Sequence, residues 1–392
     1  MRIAQISPLM ESVPPKYYGG TERIVHYLTE ELVRQGHDVT LFASGDSETS
    51  ADLVPICPEA LRLKGTRDPL AYHVLELENA FKRGREFDII HSHVDYLAFP
   101  LSRRLPDTPV VTTLHGRLDL PELADLYREY SDVRLISISH AQRAPLTGVN
   151  WVGTVHHGLP RDRYRFNPRP GGYAAFLGRV SPEKRLDFAI AAAIRAGMRI
   201  EVAAKVDRVD EDYFQERIKP MLDHPLVGFH GEIGEDRKAE FLGGASALLF
   251  PVDWPEPFGL VMIESMACGT PVIARRRGSV PEVIREGVSG FLAETEEEMA
   301  EALGRVAAIS RRDCRRYFED RFTARRMADD YLALYQKVIE SRDADLAEAD
   351  GDGRTHGGSD NPGRQVLHNG QLLAGGKADP GPQAGRHLRR LR

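Results

Sequence analysis

The sequence has few cysteines, few aromatic residues and no long apolar run. Only three cysteines occur among 392 residues, and Cys57, Cys268 and Cys314 lie too far apart for a metal site. Isolated cysteines are typical of reduced thiols, so we expect a cytoplasmic protein. No stretch approaches the roughly 18 apolar residues that span a bilayer, and Gln5 and Pro8 interrupt any apolar core of a signal peptide. Any membrane contact is therefore expected to be peripheral, at the inner face.

The chain also lacks an excess of positive charge. The 52 basic and 58 acidic residues give a formal net charge of -6, which argues against nucleic acid as a partner. Hydrophobic residues make up 42% of the chain, an ordinary value for a globular protein, and the length is typical of two or three domains.

Segments with strand and helix patterns alternate in two successive sets. In the first set, residues 2–7 predict a strand and residues 21–35 a helix, and further strands follow at 38–43, 87–91, 109–113, 133–138 and 151–155. The second set predicts strands at 173–177, 198–204, 227–230, 247–250 and 271–274, with helices at 184–196, 210–221, 236–242 and 259–268. This alternation predicts an α/β fold of two tandem Rossmann-like, doubly wound domains with a cleft between them.

The alternation lapses at residues 164–172, which are rich in proline and glycine. We therefore predict an N-terminal domain over 1–166 and a C-terminal domain over 167–322. Thr323 is a candidate cap for a final helix over 323–341. Residues 342–392 contain no aromatic residue and many Gly, Asp, Arg and Pro, which predicts a disordered tail.

Two glutamates separated by seven residues occupy an unusual setting. Glu256 lies between two prolines, which exclude a helix there, whereas Glu264 lies inside the predicted helix 259–268, whose other faces are apolar. A lone carboxylate in such a helix is costly unless it is paired. The rise from Gly259 to Glu264 is about 7–8 Å, roughly the distance from a phosphate at the helix N-terminus to the ribose of the same nucleotide. Alternatively, this is a core helix whose glutamate pairs with a nearby arginine.

Two other β-to-α junctions carry residues suited to phosphate. Gly19 and Gly20 precede the first helix, where the backbone can approach a ligand and helix N–H groups are free. The pattern is not G-x-G-x-x-G, so a dinucleotide fingerprint is absent. Arg179 and Lys184 follow the first strand of the second set, where fixed cations stabilise a leaving diphosphate without a metal. Taken alone, such a pair of glycines more often marks a tight turn before a helix, and two basic residues after a strand more often lie in a solvated loop.

Histidines and aspartates at other junctions admit structural interpretations. His115 follows a strand, where it can donate a hydrogen bond, relay a proton or simply bond a backbone carbonyl. His91 and His93 form an H-x-H pair, but no further ligand lies at metal-site spacing, so we favour packing at a strand end. Asp210 and Asp212 open a helix, where acids suit the dipole, and we therefore expect no metal site.

In combination, these motifs resemble the retaining glycosyltransferases of family 4 (glycosyl transferases group 1), which have the GT-B fold. The motifs are the Gly-Gly loop, the R-x4-K pair, the E-x7-E pair and the Gly-Ser-Val-Pro-Glu turn at 278–282. The resemblance implies that Glu256 lies by the transferred sugar and that Glu264 bonds the ribose. It implies the catalytic residues Glu256, Arg179, Lys184 and His115, and the donor-binding residues Gly19, Gly20, Arg179, Lys184, Glu256, Phe258, Gly259, Leu260 and Glu264. It further implies that the last helix crosses back onto the first domain.

The reaction implied is retaining transfer of a hexosyl group to an acceptor hydroxyl. The donor is a nucleoside-diphosphate sugar of the UDP-glucose or GDP-mannose type, and the acceptor is a carbohydrate, a lipid or a small molecule. We expect neither a metal nor another cofactor. The resemblance also implies that an oxygen of the departing diphosphate helps to remove the acceptor proton, so Glu256 positions sugar hydroxyls and is not a nucleophile.

Two alternatives remain at this point. A nucleotide-sugar 2-epimerase shares the GT-B fold, but it needs acid and base carboxylates placed for chemistry at C2, and no such set is evident. A non-catalytic nucleotide-sugar-binding protein is the second, and the presence of Glu256, Arg179 and Lys184 argues against it. A pyridoxal-type phosphorylase would require a far longer chain.

Overall fold

Two parallel β-sheets, one in each half of the chain, organise the structure, a computed structural model that describes residues 1–17, 19–105 and 107–352. The first sheet has the order β3-β2-β1-β4-β5-β6-β7 and the second the order β10-β9-β8-β11-β12-β13. Their bounds are β1 Arg2–Ile6, β2 Asp38–Ala43, β3 Asp52–Pro55, β4 Ile89–Ser92, β5 Val110–Thr113, β6 Leu135–Ser137, β7 Trp151–Thr154, β8 Tyr173–Val180, β9 Arg199–Val206, β10 Val227–Phe229, β11 Ala247–Phe250, β12 Val272–Ala274 and β13 Gly290–Leu292.

Most connections between successive strands contain helices, because parallel strands require crossovers, whereas β2 and β3 are joined by a segment without a helix, residues 44–51. The α-helices are α1 Gly20–Arg34, α2 Leu61–Lys64, α3 Pro69–Lys82, α4 Phe99–Ser102, α5 Leu123–Glu129, α6 Leu186–Arg195, α7 Glu211–Tyr213, α8 Glu235–Gly244, α9 Leu260–Ala267, α10 Val280–Val283, α11 Glu296–Arg305, α12 Arg311–Arg321 and α13 Ala324–Asp352. We call β1–β7 with α1–α5 the first lobe and β8–β13 with α6–α12 the second lobe. The predicted pair of doubly wound sheets is thus confirmed.

Each sheet has a point at which the strand order reverses, between β1 and β4 in the first and between β8 and β11 in the second. Open α/β sheets bind ligands beyond the carboxyl ends of their strands at such a point. Gly19 lies in the loop after β1, Arg179 is the penultimate residue of β8, and Glu256 lies in the loop after β11. The topology therefore places three of the predicted motifs where this architecture binds ligands.

The chain passes between the lobes at two adjacent segments. Leu159 N–H donates to Phe322 O (2.9 Å) and Ala324 N–H donates to Leu159 O (2.8 Å). Gly158 is required for this close approach, because a Cβ at that position would lie 2.2 Å from Thr323 O. The two crossing segments are therefore joined as a short parallel bridge between Leu159 and Thr323.

The final helix, α13, packs back against the first sheet, as expected. Tyr331 and Tyr335 are fully buried, and their hydroxyls contact Thr113 of β5 and His91 of β4. The helix runs to Asp352, which corrects the expected start of a disordered tail at residue 342. Residues 342–352 include three Ala, one Arg, one Glu and one Leu, all of which are strong helix formers. The rest of the expected tail, 353–392, lies outside the described residues.

Among the described residues, no helix is both long enough and apolar enough to cross a membrane.

Candidate active site

Lys184 and Glu256 form an ion pair in the second lobe, between the loop after β8 and the loop before α9. Lys184 Nζ contacts Glu256 Oε2, and Trp254 Nε1 donates to the same oxygen (2.9 Å). The ammonium group also lies 5.0 Å from the ring centroid of Trp254, within the range of a cation–π contact. Glu256 is only 8% exposed. Lys184 and Trp254 thus both bond the same oxygen of Glu256, Oε2.

The loop that carries Glu256 is clamped by the turn at 278–282. Ser279 N–H donates to Glu256 O (2.9 Å), and Ser279 Oγ donates to Phe258 O (2.9 Å). Gly278 has a φ of +52°, and a Cβ there would lie 2.3 Å from Glu256 O. The close backbone approach thus occurs at Gly278, whereas the serine at 279 contributes its hydroxyl to the clamp.

The amino ends of α9 and α1 meet in the crevice between the lobes. Gly259 has a φ of +79° and allows the sharp turn into α9, which begins at Leu260. A Cβ on Gly20, the first residue of α1, would lie 3.7 Å from Leu260 Cδ1. Gly19 is packed tightly behind it against Pro15. The Gly-Gly loop of the first lobe therefore lies against the start of the E-x7-E helix, where backbone N–H groups without helical partners are concentrated.

Phe258 anchors the Glu256 loop to the first lobe. It is 2% exposed, and its ring lies 4.8 Å from that of His157 and 6.2 Å from that of Phe322, in both cases edge to face. Ser139 Oγ donates to Pro257 O (2.7 Å) from the loop after β6. These contacts make the first lobe part of the support for the Glu256 loop.

Arg179 is held by acidic neighbours and does not contact the Lys184–Glu256 pair. Its Nη2 donates to Glu183 Oε1 (2.8 Å), and Nη1 lies 3.8 Å from Asp207 Oδ2. The side chain is one-third exposed. The structure places Arg179 near the carboxyl end of β8, and both of these ionic contacts are with carboxylates of its own lobe.

Glu264 lies in a buried network that joins the two lobes. Its Oε1 accepts hydrogen bonds from Arg23 Nη1 of α1 (2.8 Å) and from Tyr164 OH (2.9 Å), and lies 3.7 Å from Lys238 Nζ. Arg23 Nη2 also contacts Glu235 Oε1 of α8 (2.5 Å). Burial alone would raise the pKa of Glu264, but Lys238, Arg23 and Tyr164 together hold it below its usual value.

Glu264 is therefore paired with an arginine, as the alternative interpretation of this helix expected, and the arginine is Arg23. Arg23, Tyr164 and Lys238 all approach the same oxygen of Glu264, Oε1. A cavity of about 980 Å³ lies beside this network. It is lined by one face of α1 and by both crossing segments, and includes Arg23, Tyr27 and Glu235 but none of Arg179, Lys184 and Glu256.

His115 is half-buried beyond β5 and faces other histidines. Its Nε2 lies 2.9 Å from His93 Nδ1, and its ring stacks on His157 at 5.4 Å. Because His157 also contacts Phe258, His115 is linked to the Glu256 loop through one intervening ring. Burial lowers the pKa of His115 to about 3, so the imidazole is neutral at physiological pH.

His91 and His93 are buried in hydrogen bonds to Tyr335, Thr113 and Gln5. Over the described ranges, no group of three or more His, Cys, Asp or Glu side chains is arranged to hold a metal ion. Asp210 and Asp212 lie at the start of a helical segment, as the sequence indicated.

Comparisons with known proteins match both lobes. The family model described as Glycosyltransferase Family 4 matches residues 18–140, and the one described as Glycosyl transferases group 1 matches residues 165–320. A curated relative, the D-inositol 3-phosphate glycosyltransferase of Saccharomonospora viridis, is 28% identical over 85% of this chain and 92% of its own length.

Solved structures share the fold. Sucrose-phosphate synthase from Thermosynechococcus elongatus has a TM-score of 0.71 at 19% identity, covering 87% of this chain and 100% of its own. Anabaena HepE in complex with UDP-glucose has a TM-score of 0.62 at 17% identity, covering 88% of this chain and 100% of its own. The matched models cover the two lobes in family order, and the motifs lie at the expected junctions. The chain is therefore a glycosyltransferase that belongs to the group 1 family (family 4) and has the GT-B fold.

Proposed function

We propose that this enzyme transfers a hexosyl group, with retention of configuration and without a metal, from a nucleoside-diphosphate sugar to an acceptor hydroxyl. The observation that carries the proposal is the Lys184–Glu256 pair, which lies in the loops beside the amino end of α9. A cation, a carboxylate and free amide N–H groups are thereby concentrated where a diphosphate and its sugar require them. The relatives' names and the UDP-glucose complex of HepE support this donor class.

The diphosphate binds at the amino ends of α9 and α1 in this proposal. The N–H groups near Gly259 and Leu260 bind its oxygens, and Lys184 and Arg179 stabilise the charge that develops when the glycosidic bond breaks. Lys184 must then share its ammonium group between Glu256 and the phosphate. Arg179 must likewise exchange Glu183 or Asp207 for phosphate, which its partial exposure permits.

The two glutamates bind the remaining parts of the donor. Glu264 Oε1 is held by Arg23 and Tyr164, which leaves Oε2 to accept a hydrogen bond from a ribose hydroxyl. Glu256 Oε2 is held by Lys184 and Trp254, which leaves Oε1 to accept from a sugar hydroxyl. In each case one oxygen fixes the carboxylate and the other binds substrate, so neither side chain requires reorganisation.

The chemical step follows from this placement. The acceptor oxygen forms a bond to the anomeric carbon on the face from which the diphosphate departs, while the bond from that carbon to the diphosphate breaks. The acceptor proton passes to an oxygen of the departing diphosphate. The acceptor is a carbohydrate, a lipid or a small molecule, and the donor sugar is of the UDP-glucose or GDP-mannose type.

The first test identifies the nucleotide. A ligand that binds only the folded protein raises its melting temperature, so UDP, GDP and ADP are compared in a thermal shift assay. Turnover of the corresponding sugar is then measured with and without EDTA, and we expect no loss in EDTA. A loss that added metal restores would contradict metal independence, and donor turnover to an epimer without acceptor would favour the epimerase.

The second test addresses the pair. Lys184→Met and Glu256→Gln should each lower kcat by about 10²–10³, the usual effect of removing an electrostatic group from such a site. Lys219→Met is the matched control, because Lys219 is an exposed lysine of the same lobe whose ammonium group donates to Gln215. Unchanged turnover in both active-site variants would show that the proposed site is wrong.

A further inference from the structure

A continuous chain of hydrogen bonds runs through the core of the first lobe and ends at His115. It connects three elements of the first sheet with two tyrosines of the returning helix α13. We call this the histidine chain, and its members in order are Tyr331, Thr113, His91, Tyr335, Gln5, His93 and His115. Apart from His115, all of these residues are fully buried or nearly so, so their hydrogen bonds are made with one another instead of with solvent.

The half of the chain nearest the crevice passes through Gln5. The Gln5 amide nitrogen donates to Tyr335 OH (3.3 Å), and its Oε1 lies 2.8 Å from His93 Nε2. His93 Nδ1 lies 2.9 Å from His115 Nε2. At each of these contacts one atom donates and the other accepts. Once the donor and acceptor atoms of Gln5 are known, those of His93 and His115 follow.

The amide of Gln5 sets the direction of the hydrogen bonds. An amide oxygen accepts only, so His93 carries its proton on Nε2 and its Nδ1 is an acceptor. His115 must then carry its proton on Nε2 and donate to His93. The Nδ1 atom of His115 is left with a lone pair, and this atom is buried without a hydrogen-bond partner among the described residues.

The other half of the chain is consistent with this direction. Tyr335 OH, which accepts from Gln5, donates to His91 Nδ1 (2.6 Å). His91 Nε2 then donates to Thr113 Oγ1 (2.7 Å), and the threonine hydroxyl donates to Tyr331 OH (3.1 Å). No contact in the chain joins two donors or two acceptors.

The histidines of the chain are neutral. Burial places the pKa of His91 and of His93 well below the usual range and lowers that of His115 to about 3. The titratable groups against His115 are His93 from β4, His157 after β7 and the carboxyl of Asp95, which lies at the backbone amide of His115. The proton on each ring is therefore assigned by hydrogen bonding within the chain.

We propose that Gln5 and Tyr335 are positioning residues that hold His115 in the tautomer whose Nδ1 accepts a hydrogen bond from a substrate hydroxyl. This rests on the proposed function, in which a sugar or acceptor hydroxyl enters the crevice beside His115. The contacts of His157 with both His115 and Phe258 place His115 one ring away from the Glu256 loop. His115 is then an acceptor, in contrast to the donor or proton relay that its position in the sequence allows.

The direct test is a ¹⁵N spectrum of the full-length protein labelled at histidine. His115→Asn identifies the His115 signals, and their shifts report which ring nitrogen carries the proton. We expect protonated Nε2 and unprotonated Nδ1, without titration between about pH 5.5 and 8. A proton on Nδ1, or titration within that range, would overturn the proposal whether or not the enzyme transfers sugar.

Matched variants on α13 test the positioning role. Tyr335→Phe removes the hydroxyl that fixes the Gln5 amide, so we expect a mixture of His115 tautomers and a fall in kcat of about five-fold with the donor KM unchanged. Tyr331→Phe removes an equally buried hydroxyl from the far end of the chain and should change neither.

Equal effects of the two variants, or an unaltered tautomer in Tyr335→Phe, would contradict the proposal. Absence of donor turnover in the unmodified protein would instead contradict the proposed function, and the spectrum would still decide the tautomer.

Discussion

Replacing Arg23 by methionine should be among the most damaging single changes outside the hydrophobic cores. The Arg23 side chain is 7% exposed and lies between Glu264, which is 3% exposed, and Glu235. Removing one member of a buried ion pair leaves its partners charged without compensation, at a cost of about 3–5 kcal/mol. Lys238 remains near both glutamates, so we expect the lower end, about 3 kcal/mol.

This loss is measurable as a fall in the melting temperature. At about 2–4 °C per kcal/mol for domains of 150–250 residues, Arg23→Met should melt about 6–12 °C below the unmodified protein. Arg34→Met is the matched control, because Arg34 lies on the same helix and pairs with Glu31 at the surface. An exposed pair contributes little to stability, so the control should melt close to the unmodified protein.

A double variant separates lost charge compensation from lost packing. Because Arg23→Met leaves the Glu264 carboxylate uncompensated, Arg23→Met with Glu264→Gln should melt above Arg23→Met alone. Residues in direct contact are expected to show such non-additivity. The reasoning would be refuted if Arg23→Met melted no lower than Arg34→Met, or if the two changes were simply additive.

Two further predictions concern the inter-lobe contact at Glu282 and the turn at Gly259. Burial alone would raise the pKa of Glu282, but hydrogen bonds from His156 and from two backbone amides of the first lobe hold it below its usual value. A depressed carboxylate pKa stabilises the fold above the unfolded pKa of about 4.3. The melting temperatures of the unmodified protein and Glu282→Ala should therefore converge as the pH falls below that value, and a constant difference would contradict this. Gly259→Ala should destabilise the protein more than Gly36→Ala does. Both glycines have a positive φ, +79° and +86°, but an added Cβ would lie 2.8 Å from a neighbouring side chain at Gly259 and would have nothing within 4 Å at Gly36. Equal melting temperatures of the two variants would contradict the steric argument.

The central strands and helices could be predicted from sequence periodicity, but two edge strands could not. β3 contains a proline and is partly exposed, and β13 has only three residues. Neither carries a pattern long enough to indicate a strand, and both are formed by pairing with a longer neighbour. The predicted helix over 210–221 breaks into a short α-helix, a π segment and a 3₁₀ turn that contains Pro220, consistent with the effect of proline on helices.

The site residues could be predicted as motifs, but their partners could not. Glu264 is separated by 241 residues from Arg23 and by 100 from Tyr164, and no local pattern distinguishes Arg23 from other arginines. The available signal was the carboxylate itself, which required a cation somewhere in the fold. Glu183, one acidic partner of Arg179, is by contrast only four residues away in the sequence, and this short separation already indicates that the cation is compensated.

These pairings determine how a charged donor can be recognised. Each basic side chain of the proposed donor site already has an acidic partner: Lys184 has Glu256, Arg179 has Glu183 and Asp207, and Arg23 and Lys238 have Glu235 and Glu264. A diphosphate therefore meets an approximately neutral crevice instead of an open cationic surface. Long-range attraction is correspondingly weak, and affinity must come from contacts made at close range. The first turn of α9 carries no acidic residue, so its amide N–H groups require no exchange of partners and are the groups best placed to bind the diphosphate first.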